Sequence, residues 1–172
     1  SSSGRVVSVG FNRPASPIGK EIKKALDSQS TAGMYNWFVA GHELPPDHWY
    51  FKEEEGGRIL GNACHWIDFT YKLVPAKDRY PITIIPTTAR TSGSDCAATY
   101  VFGDGSIGAI TLSFKGHLFE GVRERFSAHR GNVLIAMDDF HKLVIQEVEN
   151  KRAITGFFRD HGHRSSICGS YD

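Results

Sequence analysis

The sequence predicts an α+β domain of two layers: a large, mainly antiparallel, open β-sheet covered on one face by helices. Two amphipathic helical segments lie before Pro75, seven strand-like runs follow Tyr80, and the turns between those runs are too short for crossover helices. The chain has 172 residues, which fits one domain with a substantial core.

The first helix is predicted over residues 16–28. Ser16 stands at the N-cap position, Pro17 at the first helical position, and Ile18, Ile22 and Leu26 share one stripe. Before it, the β-branched run RVVSVGFN (5–12) reads as a strand that needs partners from elsewhere in the chain. TAGMYNWFVAG (31–41) reads as a second strand. The two prolines and mixed charge of HELPPDHWYFKEEEGG (42–57) predict a long loop without regular structure, of a length more often functional than idle.

Residues 58–74 carry the second helical period. At about 100° per residue, Ile59, Leu60, Ala63, Cys64, Trp66, Ile67, Thr70, Tyr71, Leu73 and Val74 form a broad apolar arc expected to face the core. Arg58, Gly61, Asn62, His65, Asp68, Phe69 and Lys72 take the other side. The strand runs are 81–89, 95–103, 106–116, 122–130, 132–139, 141–149 and 151–159. Gly103-Asp104-Gly105-Ser106, Arg130-Gly131-Asn132 and Glu149-Asn150-Lys151 supply hairpin turns. Ile110, Leu112 and Phe114 alternate with Ala109, Thr111 and Ser113, which predicts one packed face and one wetter face.

Several function classes are disfavoured. Twenty basic and 19 acidic side chains are interspersed along the chain and give a formal charge of +1, so there is no electrostatic footprint for nucleic acid. No apolar run approaches the roughly 18 residues that span a bilayer. The three widely spaced cysteines, Cys64, Cys96 and Cys168, fit a reducing cytoplasm better than a disulfide framework or a zinc site. The sequence Asp160-His161-Gly162-His163 pairs two histidines, too few ligands for a metal site. Neither GxSxG nor a P-loop is present, and GxGxxG occurs only as Gly103-Asp104-Gly105-Ser106-Ile107-Gly108, in a hairpin turn and not between a strand and a helix, so this segment carries no phosphate cradle of its own.

Two patterns point to chemistry. Asn62 and Asp68 lie three residues either side of His65, a spacing that gathers side chains on one helix face. An imidazole that titrates near neutrality, a carboxylate to fix its tautomer and an amide to orient a hydroxyl would make a proton-transfer group. The same spacing is served by a solvated face with a weak Asp68–Lys72 surface pair, and the pattern alone favours that reading. Gly61, in mid-helix, costs about 1 kcal/mol relative to alanine, and close approach of a ligand is one reason to tolerate it. In PPDHWY, Asp47, His48 and Trp49 form a stiff turn suited to holding a polyol, or equally a turn pinned by Trp49 in the core.

VGFNRPASP (9–17), the PPDHW loop and EEGGRILGNACHWIDFTYKL resemble the Gfo/Idh/MocA oxidoreductase family, named for glucose-fructose oxidoreductase and inositol dehydrogenase, over nearly the whole chain. The resemblance implies an NAD(P)-dependent oxidoreductase acting on a sugar, inositol or nucleotide sugar, with an N-terminal Rossmann domain and a C-terminal domain of the dihydrodipicolinate-reductase-like kind. Residues 1–12 would be the last strand and linker of that Rossmann domain, and residues 13–172 the substrate and oligomerisation domain. The glycine-rich loop that binds NAD or NADP, and the family's EKP lysine, would then precede residue 1, and the isolated chain should not turn over. The resemblance further implies a homo-oligomer assembled through the open sheet face.

In the same resemblance, His65 matches the family histidine near nicotinamide and substrate, and Asp68 the acidic residue after it. Asn12, Arg13, Asn36, Asp47, His48, Trp49, Arg58 and Asn62 are the expected substrate contacts, of which Arg13 and the PPDHW residues lie in matching motifs. The chain departs from the pattern at Gly61, where many members have aspartate, at Asn62, where the closer subgroup often has glutamate, and at Pro14, which replaces a second arginine. The alternative reading is a non-catalytic sugar-binding or assembly module of the same fold.

Overall fold

The computed structural model describes residues 10–88, 95–115, 121–156 and 158–162, with the side chains of Glu53, Ile59 and Thr88 excepted. The described strands are β1 (Gly33–Ala40), β2 (Thr83–Thr88), β3 (Cys96–Val101), β4 (Ile107–Ser113), β5 (Arg123–Arg130), β6 (Val133–Asp138), β7 (Lys142–Gln146) and β8 (Lys151–Thr155). They form one sheet in the order β2-β3-β4-β1-β5-β6-β7-β8. Every pairing is antiparallel except β1 with β4, which run parallel because β1 is inserted between the two halves of the later meander. The expected mainly antiparallel sheet and all three predicted hairpins are present. The run at 5–12 is different: residues 1–9 lie outside the described residues, and 10–12 have no regular structure.

Helix α1 (Pro17–Asp27) starts as predicted. The Ser16 hydroxyl oxygen accepts from the Gly19 N–H at 2.9 Å, and its proton is donated to the Arg13 carbonyl at 2.8 Å. Ile18, Ile22, Ala25 and Leu26 are buried against the sheet. Helix α2 (Cys64–Leu73) is preceded by a π-helical turn, Ile59–Ala63, and covers the same face. The loop before it is not wholly irregular, because Trp49–Phe51 and Glu53–Glu55 form 3-10 turns. The Tyr50 N–H closes the first of these on His48 Nδ1.

The predicted apolar arc of α2 requires correction. Leu60 and Ile67, expected inside, are 68% and 40% exposed, and Cys64 is only half-buried, whereas Phe69 from the supposed polar side is 1% exposed. Away from His65, Asp68 and Lys72 the helix is apolar over more than one stripe, so periodicity cannot choose which of them faces in. Its partners decide. Phe69 joins a ring cluster with Trp37 and Phe126, at centroid separations of 5.4 and 5.7 Å. The buried stripe is therefore Ala63, Trp66, Phe69, Thr70 and Leu73, where the Thr70 hydroxyl accepts from Trp37 Nε1 at 3.0 Å.

A carboxylate inside this layer fixes the helix against the sheet. Glu124 on β5 is in phase with the buried Phe126 and Ala128, and its side chain is 1% exposed. Arg13 Nε and Nη2 donate to its two oxygens at 2.8 and 2.6 Å, and Trp66 Nε1 donates to Oε2 at 2.7 Å. The Arg13 guanidinium also lies over the Trp66 ring, 4.7 Å from its centroid. His161 closes the other side, with Nε2 3.5 Å from Oε1, and Asn12 Nδ2 donates to the His161 carbonyl at 2.8 Å. Burial pushes the His161 imidazole below its ordinary value, against the pull of Glu124.

Candidate functional site

The inward stripe being settled, the opposite side of α2 is the place to look for chemistry. His65, Asp68 and Lys72 follow one another along that outward side, each half-buried or exposed. Phe11 packs edge-on against the His65 ring at a centroid distance of 5.8 Å. Lys72 Nζ pairs with Asp68 Oδ2 at 3.0 Å and sits 5.7 Å from the Phe11 ring centroid. These residues form one continuous cluster of an imidazole, a carboxylate, an ammonium and an aromatic wall. The Asp68–Lys72 pair is the surface pair that the spacing allowed, an (i, i+4) contact worth about 0.3–0.5 kcal/mol.

The PPDHWY loop folds back on the start of the same helix. The Tyr50 hydroxyl donates to the Asn62 side-chain carbonyl at 2.8 Å, and its ring lies where a Cβ on Gly61 would be, 2.5 Å from that position. Gly61 is therefore required by close approach, as expected of a mid-helix glycine, but the group approaching is an aromatic ring of the chain's own loop. Trp49 packs against Tyr50 with centroids 4.0 Å apart and ring planes tilted by 48°, and it stays 48% exposed, so it is not a core anchor. His48 lies 5.0 Å from the Tyr50 centroid, and Asp47 is exposed at the tip.

Arg58 is buried at the other edge of this loop. Its two terminal nitrogens donate to the His42 carbonyl at 3.3 and 3.2 Å, and the guanidinium stacks 3.6 Å from the Phe114 ring centroid. Burial lowers its pKa. Arg58 thus ties the ends of β1 and β4 to the start of the helix. Asn12 and Arg13 belong to the Glu124 cluster beneath Trp66. Asn36 is on the exposed phase of β1, on the sheet face away from α2. The structure sets His65 against Phe11 and Asp68 against Lys72 on the same outward side of α2, and brings Asn62 together with Trp49 and His48 through Tyr50. Asn12, Arg13 and Arg58 are held in packing contacts, and Asn36 is on the far side of the sheet.

Sequence reasoning passed over Tyr50 and Glu124. The signal for Tyr50 was its place beside Trp49 in the PPDHWY loop. The signal for Glu124 was its core phase in the alternation of Arg123–Arg130. Of the DHGH pair, His161 is engaged with Glu124 and His163 lies outside the described residues. Gly56 and Gly57 take positive φ before the helix, yet they follow a 3-10 turn and not a strand, so the described residues do not build a strand–turn–helix dinucleotide cradle. Among the described residues, no helix is long and apolar enough to cross a membrane.

No family model matches the chain, and no curated protein matches it. Solved structures do. Levoglucosan dehydrogenase in complex with NADH and levoglucosan matches with a TM-score of 0.77 at 14% identity, over 100% of this chain and 57% of that one. The chain shares the fold of part of this dehydrogenase. A dehydrogenase from Chromobacterium violaceum matches at 0.73 and 13% identity, over 94% and 50% of the two chains. A dehydrogenase from Clostridium difficile matches at 0.67 and 15% identity, over 95% and 50%. The chain therefore spans about half the length of the oxidoreductases that share its fold.

The Tyr50–Gly61 contact gives a direct test of the loop's seat. Trp37 and Trp66 are 2% and 1% exposed, so acrylamide quenching reports mainly on Trp49. Gly61→Ala is expected to lift Tyr50 off the helix and raise that quenching. Alanine's helix propensity, about 1 kcal/mol better than glycine's, should keep the unfolding midpoint from falling far. Unchanged quenching would contradict the contact.

Proposed function

We propose that this chain is the substrate-side domain of an NAD(P)-dependent oxidoreductase that transfers hydride at a hydroxyl-bearing carbon of a sugar, an inositol or a nucleotide sugar. The observation that carries the proposal is the outward polar stripe of α2, His65–Asp68–Lys72, set beside Phe11 in a fold that this chain shares with 57% of a levoglucosan dehydrogenase solved with NADH and levoglucosan. When bound, NAD(P) supplies the hydride acceptor or donor at the substrate carbon. The residues of this chain would do the rest. His65 takes or returns the hydroxyl proton, and the Asp68–Lys72 pair holds a fixed charge arrangement one turn away. Asn62, engaged by Tyr50, and the exposed Trp49 with His48 and Asp47 form the rim that would receive the sugar, Trp49 as the apolar wall. Arg13, Asn12 and Arg58 would support this rim from below, and Asn36 would serve assembly on the open face.

The dinucleotide itself would be held by a Rossmann domain of the same polypeptide, so the isolated chain should be inactive. The unpaired Cys64 and Cys96 fit a cytoplasmic protein. A second reading, a sugar-binding or assembly module without catalysis, is favoured by one feature: the Asn62 carbonyl and the Asp68 carboxylate are already engaged by Tyr50 and Lys72.

The full-length polypeptide, assayed against a panel of sugars and inositols with NAD and NADP, separates the two. Dehydrogenation of at least one sugar, falling by about 10²-fold or more in His65→Ala, is the expected result. Turnover unaffected by His65→Ala would remove the proton-transfer role, and sugar binding without turnover on any substrate would favour the module.

The open sheet face would pack against a second copy. Met34, Phe38 and Leu134 stand on it 50%, 49% and 51% exposed, around a groove of about 600 Å³ lined by Asn36, Ser127, Ala136 and Val144. Light scattering of the concentrated chain should give a dimer or larger assembly, and a strict monomer would contradict this surface assignment.

A further inference from the structure

Tyr50 holds two of its neighbours by hydrogen bonds, and each bond consumes an acceptor. Its backbone N–H donates to His48 Nδ1 at 3.2 Å, so the neutral imidazole carries its proton on Nε2. Its hydroxyl donates to Asn62 Oδ1 at 2.8 Å, which fixes the amide with the carbonyl end toward Tyr50. Asn62 is half-buried, and among the described residues its Nδ2 has no hydrogen-bond partner. Trp49 is 48% exposed, and an indole nitrogen can only donate. His48, Trp49 and Asn62 are thus left with N–H groups as their unengaged polar atoms. Tyr50 itself has a fixed seat: its ring fills the space over Gly61, and the ring centroid lies 5.9 Å from the Arg58 guanidinium.

We propose that Tyr50 is a positioning residue: by taking up the acceptor atoms of His48 and Asn62 it makes the rim a donor surface. Such a rim selects a sugar that carries an uncharged carbonyl substituent, an N-acyl group, over one with a hydroxyl or a carboxylate in its place. The inference rests on the function proposed above and names the substrate class of the same site. A carbonyl oxygen offers two lone pairs and brings no hydrogen of its own. A hydroxyl can also accept, but its hydrogen then finds no acceptor among these groups, and a donor buried without a partner weakens binding. A carboxylate accepts more strongly than either. Residues 42–57, however, hold five carboxylates against one lysine, and that like charge disfavours an acid at this rim. What remains favoured is an acceptor without charge.

Ligand binding to the full-length polypeptide tests this assignment without requiring turnover. The probes are the N-acetylated amino sugar, the parent hexose and the uronate of the glucose, galactose and mannose series. Dissociation constants are measured by calorimetry, and KM and kcat wherever NAD(P)-linked turnover occurs. The expected result is that the N-acetylated sugar of at least one series binds about 3–10-fold more tightly than its parent hexose and its uronate. Tyr50→Phe keeps the ring over Gly61 and removes only the hydroxyl, and it should erase that preference, with the kinetic loss carried by KM. Asn62→Asp replaces the donor by an acceptor and should erase it as well. A preference retained in either variant, a preference for the uronate, or no preference in the unaltered protein overturns the inference. Turnover without preference removes the rim assignment and leaves the proposed function standing, whereas preference without turnover does the reverse.

Discussion

The buried Glu124 carboxylate is the constraint on which the layer arrangement depends. A carboxylate at 1% exposure carries a desolvation penalty of several kcal/mol unless it is paired and hydrogen-bonded. Here it accepts two bonds from Arg13 and one from Trp66, with His161 alongside. Those side chains come from the segment before α1, from α2 and from the segment after β8, and the carboxylate comes from a central strand. Four stretches that are far apart in sequence are thus brought to one point. Apolar packing alone would leave a choice of rotation for α2, since its apolar residues span more than one stripe. Directional bonding of Trp66 to Glu124, together with Phe69 in the ring cluster of Trp37 and Phe126, selects one rotation.

That rotation has a functional consequence. With Trp66 and Phe69 turned inward, His65, Asp68 and Lys72 face outward beside Phe11, and Leu60 and Ile67 are exposed next to them. A polar row and an apolar row thus lie side by side on the outward side of one helix, as one wall of the candidate site. The loop before the helix adds a second wall. Tyr50 is locked to Gly61 and Asn62, so Trp49 and His48 project beside the helix start and not into the core.

Much of the fold was legible in the sequence because strands and hairpins are local. Alternation and turn residues located the later strands to within a few positions, and Ser16-Pro17 marked the start of α1 through a cap that needs only its own turn. The parallel pairing of β1 with β4 was not legible, since nothing local says where an early strand enters a later meander. The rotation of α2 was hidden for a similar reason: Cys64, Ile67 and Tyr71 are as apolar as the residues that were buried, and the choice was made by Glu124 and Phe126 on a distant strand. At the candidate site, the grouping of His65 with Asp68 followed from helix spacing, whereas Asn36, placed near it by sequence, is on the opposite sheet face because its strand phase is outward. The role of Gly61 was half legible. Close approach was foreseen, but the approaching group, Tyr50, lies eleven residues earlier and reaches the helix only through the 3-10 turn.

Equilibrium denaturant unfolding of Glu124→Gln is the most direct measurement of whether this carboxylate fixes the helix and, through it, the outward stripe. Removing the charge leaves Arg13, with a side chain only 11% exposed, without its counter-charge, and breaking a buried pair in this way costs about 3–5 kcal/mol. A loss of that size, with His65 and Ile67 changing their exposure in the folded variant, is the predicted result. A loss below about 0.5 kcal/mol, the range of ordinary surface substitutions, would show that apolar packing alone sets the rotation of α2 and contradict the role given to Glu124.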